Sequence, residues 1–324
     1  MKHATILVTD CGFLVPSLVV AHQLHQSAAG RLTDLLIFII DIDPELTRRL
    51  EATFGGWIRF LPVASADLNL SSDMVSRFSN HVPAASLMRL AIAERIPGTY
   101  ENILYLDGDM QLLGDISPLV RVEVPVGCIA ACVDNFILHE NEGGQQPRWL
   151  QRYLSGLQLS AARQYFNAGL LTCRLSSWQQ IAPKALDFFR RHPELCKHHD
   201  QSALNAVCAG NWLPLSPAYN FQSLFLRFWH IGGPIRPKLV HFSGGPKPWQ
   251  SADCLWSPAF VAPYRQLLAR HPFLSGLMTI QAGGGLPINR WRNLVRMHLS
   301  SVFDIGSRRT RLRAYLHSTK FFVN

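Results

Sequence analysis

Ile103-Leu104-Tyr105-Leu106-Asp107-Gly108-Asp109-Met110 runs an apolar strand, Ile103–Leu106, into two carboxylates two residues apart. In extended backbone, residues i and i+2 point the same way. Asp107 and Asp109 therefore converge at the strand end and repel one another unless a cation joins them. A hard divalent ion that also touches substrate phosphates satisfies such a pair. Gly108 permits a sharp turn or a close backbone approach.

The same letters are compatible with two other readings. One is a surface turn rich in Asp. The other is a phosphatase of the aspartyl-phosphate type, with the first Asp as nucleophile and the second as acid. That pattern wants Thr or Val two residues after the second Asp, where Gln111 stands, and here the segment lies behind several strand–helix pairs.

Working outward, short apolar runs alternate with helical patterns. Ala4–Val8, Leu35–Ile40 and Trp57–Leu61 read as strands, Leu14–Gln26 as a helix, and a second helix begins near Pro44. Pro83–Ile96 reads as a helix, Gly127–Val133 and Phe166–Cys173 as strands, and Ser177–Arg191 and Asp200–Ala209 as helices. Strand–helix alternation predicts an α/β fold, a Rossmann-like and mostly parallel sheet flanked by helices. Ligands of such sheets sit at the carboxyl ends of the strands.

At 48% hydrophobic and 16% charged residues, the 324-residue chain is not disordered. Its longest apolar runs are those of buried strands, far short of the about 20 residues that span a bilayer. The start, with Lys2, a brief apolar stretch and then Asp10, predicts no export signal. Seven cysteines without CxxC spacing fit a reducing, cytoplasmic setting, and Cys128, Cys132 and Cys173 read as small buried hydrophobes.

The net charge of +9 is uneven. From Asn289 onward there are eight basic residues (Arg290, Arg292, Arg296, Arg308, Arg309, Arg311, Arg313 and Lys320) and one acid, Asp304, a net of +7. Gly283-Gly284-Gly285 and Pro287 mark the boundary, so residues 1–282 are expected to form the globular domain and 283–324 a helical basic tail. Trp291, Leu294, Val295, Leu299, Val302 and Phe303 fall on one helical stripe, with Arg290, Arg292 and Arg296 off it. A second basic stretch offers Leu312, Tyr315, Leu316, Phe321 and Phe322. Such a tail is suited to lying in the interface of an anionic membrane. The alternative is a helix that packs its stripe on the body. No recognised nucleic-acid-binding module accompanies the charge, so a nucleic-acid partner is not expected.

Four further segments narrow the function. Phe166-Asn167-Ala168-Gly169 places an amide and small residues at the head of a strand. His199-Asp200-Gln201-Ser202 opens a helix with an acid and an amide. His241-Phe242-Ser243-Gly244-Gly245-Pro246-Lys247 follows a strand with an imidazole, a glycine pair and a lysine. Val8-Thr9-Asp10 closes the first strand. With the Asp-x-Asp segment, these resemble glycosyltransferase family 8, whose members transfer sugars from nucleotide donors with retention of anomeric configuration. The resemblance covers about residues 4–250, in order along the chain. It is greatest to the bacterial galactosyl- and glucosyltransferases that build lipopolysaccharide, and it implies the GT-A variant of the Rossmann-like fold.

The resemblance implies roles for particular residues. Asp107, Asp109 and His241 would ligate Mn²⁺, with Mg²⁺ as the alternative; two hard oxygens and one imidazole suit Mn²⁺ better. Gly108 lies between the two ligating acids. Gly244 and Lys247 would hold the phosphates of a UDP-sugar. Val8, Thr9 and Asp10 would belong to the nucleotide-binding site, with Asp10 at the uracil edge, and Phe13 would stack on the base. Arg89 would contact donor sugar and phosphate. Asn167, Asp200, Gln201 and Asp134 would line the donor sugar. Gly12 and Ser202 depart from the family pattern, which often has Asn and Asp there. Gln201 would lie nearest the anomeric carbon, and an amide is a poor nucleophile, so attack from the same face as departure is expected rather than a covalent intermediate.

The implied partners are a UDP-hexose, glucose or galactose, and a lipid-linked saccharide acceptor at the cytoplasmic face of a membrane. Two other functions stay open on sequence: a non-catalytic nucleotide-sugar-binding or scaffold protein, and a self-glucosylating primer of glycogen type, which needs an accessible tyrosine.

Overall fold

The computed structural model describes residues 2–69, 84–141, 143–225, 235–244, 246–250, 258–281 and 306–323. Strand β2 (Asp34–Ile40) shows how the sheet arises from sequence. Its Leu36, Phe38 and Ile40 enter one apolar core, while Leu35, Ile37 and Ile39 enter another on the opposite face. A strand buried on both faces has no polar side, which explains its unbroken apolar run. β1 (His3–Thr9) pairs with β2, and β3 (Ile58–Val63) pairs with β2 on its other side, both parallel.

β4 (Asn102–Leu106), β6 (Ala130–Val133), β7 (Phe166–Arg174) and β8 (Leu213–Leu215) complete a seven-stranded sheet of order β3-β2-β1-β4-β7-β6-β8. Four of its six pairings are parallel, and β7 is antiparallel to both of its neighbours. This is the mostly parallel, Rossmann-like sheet that the strand–helix alternation predicts. The reversal of β7 matters for the site: it brings the start of β7 to the edge where β4 ends.

α1 (Leu14–Gln26) packs on one face, with Leu14, Val15 and Leu18 buried. α2 (Pro44–Phe54) begins where Asp43 accepts the Glu45 and Leu46 N–H groups, with Pro44 in its first turn. α3 (Ala84–Ala91), α6 (Leu175–Arg191) and α7 (His199–Cys208) cover the opposite face through residues such as Leu87, Trp178 and Leu204. α4 (Ser117–Arg121) lies beside α1's core, and α5 (Arg148–Gly156) builds a small satellite cluster with Tyr153 and Tyr165. α8 (Pro258–Arg270) returns to pack Tyr264 and Leu267 into the α1 face.

A second, three-stranded sheet joins β5 (Met110–Leu112), β10 (Leu239–His241) and β9 (Phe221–Gln222), with β10 in the middle. Its register sets His241 opposite Met110 and Val240 opposite Phe221.

The expected domain boundary at 283–287 and the stripe from Trp291 to Phe303 lie outside the described residues. Beyond them, residues 306–318 form a helix, α9, that packs on the body. Leu312 and Tyr315 are 1% and 3% exposed and belong to the main core. Arg311 donates to the Leu138 carbonyl. The last residues then cover the β8 edge: Phe322 N–H donates to Pro214 O at 2.7 Å, and Ser216 N–H donates to Val323 O at 2.9 Å. So the second basic stretch of the tail is part of the fold, and the apolar residues Leu312 and Tyr315 face protein.

Deleting residues 319–324 is therefore expected to destabilise the protein by about 2–4 kcal/mol, from two backbone hydrogen bonds at ~1 kcal/mol each and the packing of Phe321 and Val323 at ~1 kcal/mol each. A denaturant midpoint unchanged by that deletion would contradict the edge-capping role.

Among the described residues no helix is long and apolar enough to cross a membrane. The six described cysteines are free thiols, with Cys132 and Cys173 buried and Cys128 half-buried. Burial pushes the Cys132 and Cys173 thiols up, as for inert core residues.

Candidate active site

All the site residues expected from sequence lie at or near the edge where β1, β4 and β6 end and β7 begins. Asp107, Gly108 and Asp109 occupy the turn from β4 to β5. The two carboxylates therefore converge through a turn and not through extended backbone, as the i, i+2 spacing had implied. Gly108 presses on α1: a Cβ there would lie 2.3 Å from Ser17 Oγ. Phe242 N–H donates to Asp109 O at 2.9 Å, so the small sheet carries His241 to the acids.

The ligand atoms of Asp107, Asp109 and His241 all lie within 4.8 Å of one another. His241 Nε2 is 3.4 Å from Asp109 Oδ1 and 3.7 Å from Asp107 Oδ2. In each of the three side chains the other polar atom is already engaged. Asp107 Oδ1 accepts from Arg89 Nη2 at 2.8 Å and from Tyr105 Oη at 2.9 Å. Asp109 Oδ2 accepts from Lys247 Nζ at 2.5 Å. His241 Nδ1 sits 2.9 Å from Asn220 Oδ1. Two carboxylate oxygens and one imidazole nitrogen are left facing a common point, a donor set that fits a divalent cation such as Mn²⁺.

Space for that convergence comes from Gly169. Its carbonyl accepts the Asp107 N–H at 2.8 Å. A Cβ on it would lie 2.4 Å from His241 Cε1 and 2.9 Å from Asp107 Oδ2. Any larger residue at position 169 would push two of the three ligands aside.

Charge around the set is balanced by protein cations. Burial pushes the Asp109 carboxyl up, but Lys247 and His241 outweigh it and hold it well below the usual carboxylate range. The buried Arg89 guanidinium spans two acids, Asp107 and Asp200, the latter with Nε 3.2 Å from Oδ2. Burial opposes its charge; the two carboxylates more than compensate and raise its pKa. Its Nη1 donates to Ala168 O and its Nε to Ser86 O, while the ring of Tyr105 lies 4.4 Å from Cζ. Arg89 thus pairs across the fold with Asp107 and Asp200. Burial, reinforced by Asp107 and opposed by Arg89, pushes the Asp200 carboxyl up to about 6. Among the described residues, Asp200 Oδ2 has no aligned hydrogen-bond donor despite its closeness to Arg89.

Next to this lies an amide cluster. Asp134, at the end of β6, accepts from Phe136 N–H on Oδ1 and from both Asn167 Nδ2 and Gln201 Nε2 on Oδ2. Gln201 Oε1 accepts the Ala168 N–H at 3.0 Å. At the neighbouring strand end, Val8 and Thr9 are buried in β1, and Asp10 Oδ1 accepts the Phe13 N–H. The Phe13 ring meets the edge of Trp249 at 6.0 Å, which ties this corner to the loop carrying Gly244 and Lys247.

Tyr105, Gly169 and Asn220 complete the site, and no motif in the sequence singles out their roles. Tyr105 reads as one more strand residue. Asn220, fully buried, lies in an irregular Pro-containing stretch whose only signal is a polar residue among apolar ones.

The carboxyl edge of this Rossmann-like sheet, of the GT-A type, thus gathers two acids and a histidine around one point. Residues 4–253 match the sequence profile of Glycosyl transferase family 8, and the chain belongs to that family. General stress protein A of Bacillus subtilis is 30% identical over 239 residues, which are 67% of this chain and 77% of that protein. The lipopolysaccharide 1,3-galactosyltransferase of Salmonella typhimurium is 25% identical over 78% of this chain and 72% of its own length. Some other relatives are matched over about half of their own length. The galactosyltransferase LgtC, solved with donor and acceptor sugar analogues, shares the fold with a TM-score of 0.61 at 20% identity, over 90% of this chain and 99% of that one.

Proposed function

We propose that the protein is a divalent-cation-dependent hexosyltransferase that moves galactose or glucose from a UDP-sugar to a lipopolysaccharide-type saccharide, with retention of configuration. The observation that carries this reading is the convergence of Asp107 Oδ2, Asp109 Oδ1 and His241 Nε2, each on a side chain whose other polar atom is occupied. A cation held by these three atoms supplies Lewis-acid stabilisation to a diphosphate leaving group. Mn²⁺ suits the donor set better than Mg²⁺.

The chain's own residues do the rest. Lys247 reaches Asp109 and the Phe242 carbonyl from a loop that includes Gly244, whose backbone is left-handed at φ +79°. Its flexible stem lets the ammonium exchange that carboxylate for a donor phosphate. Asp10 and the backbone of Val8 and Thr9 receive the uracil, and Phe13 stacks beside it. Arg89 keeps Asp107 and Asp200 in place. Asn167, Asp134, Asp200 and Gln201 receive the hexose; the buried Asp200 Oδ2 is an acceptor suited to a sugar hydroxyl.

The contacts of the two acids weigh against a nucleophilic role for either. Asp134 accepts three N–H groups, and Asp200 is held against Arg89. Same-face attack, with the leaving phosphate taking the acceptor's proton, needs no such nucleophile and is the favoured course. A glycosyl adduct on Asp134 or Asp200 in the intact mass of the reacted enzyme would refute it. All seven tyrosines are buried, 0–6% exposed, which weighs against a self-glucosylating primer. UDP release from UDP-galactose and UDP-glucose, with and without Mn²⁺, tests the function. UDP-sugar binding without turnover on any saccharide acceptor would favour a non-catalytic binding protein.

The proposed place of work is the cytoplasmic face of an anionic membrane. Exposed Arg313, Lys320 and Phe322 extend the basic, apolar character of residues 290–303. Truncation at Pro287 would also remove the buried Leu312 and Tyr315, so charge reversal is the cleaner test. Reversing Arg290, Arg292 and Arg296 to Glu is expected to cost about 1 kcal/mol or more per residue in binding to anionic vesicles. Co-sedimentation unaffected by the triple reversal would end the membrane reading.

A further inference from the structure

At Asp134 the chain makes the bonds of a parallel strand pair without a strand to pair with. β6 ends at Val133, and its parallel partner β8 follows it only as far as Cys132, opposite Leu215. Beyond that point a side chain takes over. Gln222 Nε2 donates to Val133 O at 2.9 Å, and Gln222 Oε1 accepts the Asn135 N–H at 2.9 Å. Bonding the carbonyl before a residue and the N–H after it is what one residue of a parallel neighbour does. A carbonyl only accepts and a backbone N–H only donates, so the Gln222 amide has one orientation. Gln222 and Val133 are both 0% exposed, so water offers no substitute for the bond between them.

The two bonds straddle Asp134, whose Oδ2 holds Asn167 and Gln201. Gln222 itself belongs to the small sheet, where β9 sets it opposite His241 of β10. The other backbone bonds of Asp134 run to Tyr165 O and from Ile137 N–H, neither of them in that sheet. Among the described residues, then, only Gln222 hydrogen-bonds the 133–135 turn to the sheet that carries the histidine.

We propose that Gln222 is a positioning residue for the donor sugar. Its amide splints the end of β6 and fixes Asp134 relative to the small sheet, so that hexose and diphosphate are held in one frame. The inference rests on the hexose role proposed above for Asp134. Without the amide, Val133 O loses its donor and Asn135 N–H its acceptor, and the turn is free to shift.

The test compares full-length wild type, Gln222→Met, Asn135→Pro and Asn135→Ala. Each is measured with Mn²⁺ for UDP affinity and for kcat of UDP release from UDP-galactose and UDP-glucose. Gln222→Met keeps the length of the side chain and loses both bonds. Asn135→Pro removes one bond from its other end and leaves Gln222 in place. Asp134 already has the extended backbone, φ −73° and ψ 159°, that a residue before proline adopts. Asn135→Ala keeps the N–H and serves as its reference. A misplacement of about 1 Å costs up to about 100-fold in rate, so kcat should fall about 10–100-fold in Gln222→Met, and in Asn135→Pro relative to Asn135→Ala. UDP affinity should stay at the wild-type level, because Asp10, Phe13 and Lys247 are untouched. A lowered melting temperature with kcat retained in either variant would make Gln222 merely structural and overturn the proposal. So would a loss of UDP affinity that matches the loss of kcat. If Gln222→Met does not fold, Asn135→Pro decides. A wild type that releases UDP from neither sugar would count against the proposed function instead. Hydrogen exchange at Phe136 N–H, which Asp134 Oδ1 accepts, would then decide the splint alone: faster exchange in Gln222→Met supports it, and unchanged exchange overturns it.

Discussion

Asp109→Asn is expected to reduce Mn²⁺ affinity and Mn²⁺-dependent UDP release by more than about 100-fold, beyond the range for partners one step removed from a metal. The substitution changes one atom, but both ends of the carboxylate are committed. Oδ2 faces the Lys247 ammonium at 2.5 Å, and Oδ1 faces His241 Nε2 at 3.4 Å. An amide must turn its oxygen to the ammonium, which leaves an NH₂ where the cation needs an oxygen. The same change removes an acid held below its usual range. Such an acid contributes stability above its unfolded pKa, about 4, that is lost as pH falls. Asp109→Asn should therefore flatten the acid limb of the metal-free stability curve. A variant with intact Mn²⁺ affinity and an unchanged acid limb would remove Asp109 from both roles.

Gly169→Ala is expected to have nearly as large an effect from a single methyl group. That methyl would meet His241 at 2.4 and 2.8 Å and Asp107 Oδ2 at 2.9 Å. Overpacking a rigid site costs about 1–3 kcal/mol, and here the atoms that must move are the ligands. Mn²⁺ affinity should fall at least 10-fold, with a lowered melting temperature. Retained wild-type affinity would mean that the ligand set relaxes freely, contrary to the packing described above.

These two residues differ in how legible they were. Asp109 stands in a segment whose letters announce chemistry. Gly169 was visible only as a small residue two positions after Asn167. Its importance arises because β7 runs antiparallel to β4 and sets the Gly169 carbonyl on the Asp107 N–H, a tertiary fact. The strands themselves were readable because β2 and β4 are apolar on both faces, which only a covered sheet allows. The order of the strands was less readable, since periodicity does not say which strand pairs with which.

The tail shows a different limit. An apolar stripe on a basic helix reads the same whether lipid or protein covers it. Leu312 and Tyr315 turn out to be covered by the body. Asn220, which lies beside His241 Nδ1, left no pattern at all, because a buried amide is defined by its neighbours and not by its spacing.

The most direct test of the central claim is a thermal-shift titration of wild type and Asp109→Asn with UDP-galactose and UDP-glucose, each with and without Mn²⁺. Ligand that binds only the native state stabilises it by RT ln(1 + c/Kd), with c the free ligand concentration, and so raises its melting temperature. The expected result is stabilisation by one of the two donors that requires Mn²⁺ and disappears in Asp109→Asn. Equal stabilisation with and without Mn²⁺, or stabilisation that survives the substitution, would contradict a cation-dependent donor site at Asp107, Asp109 and His241.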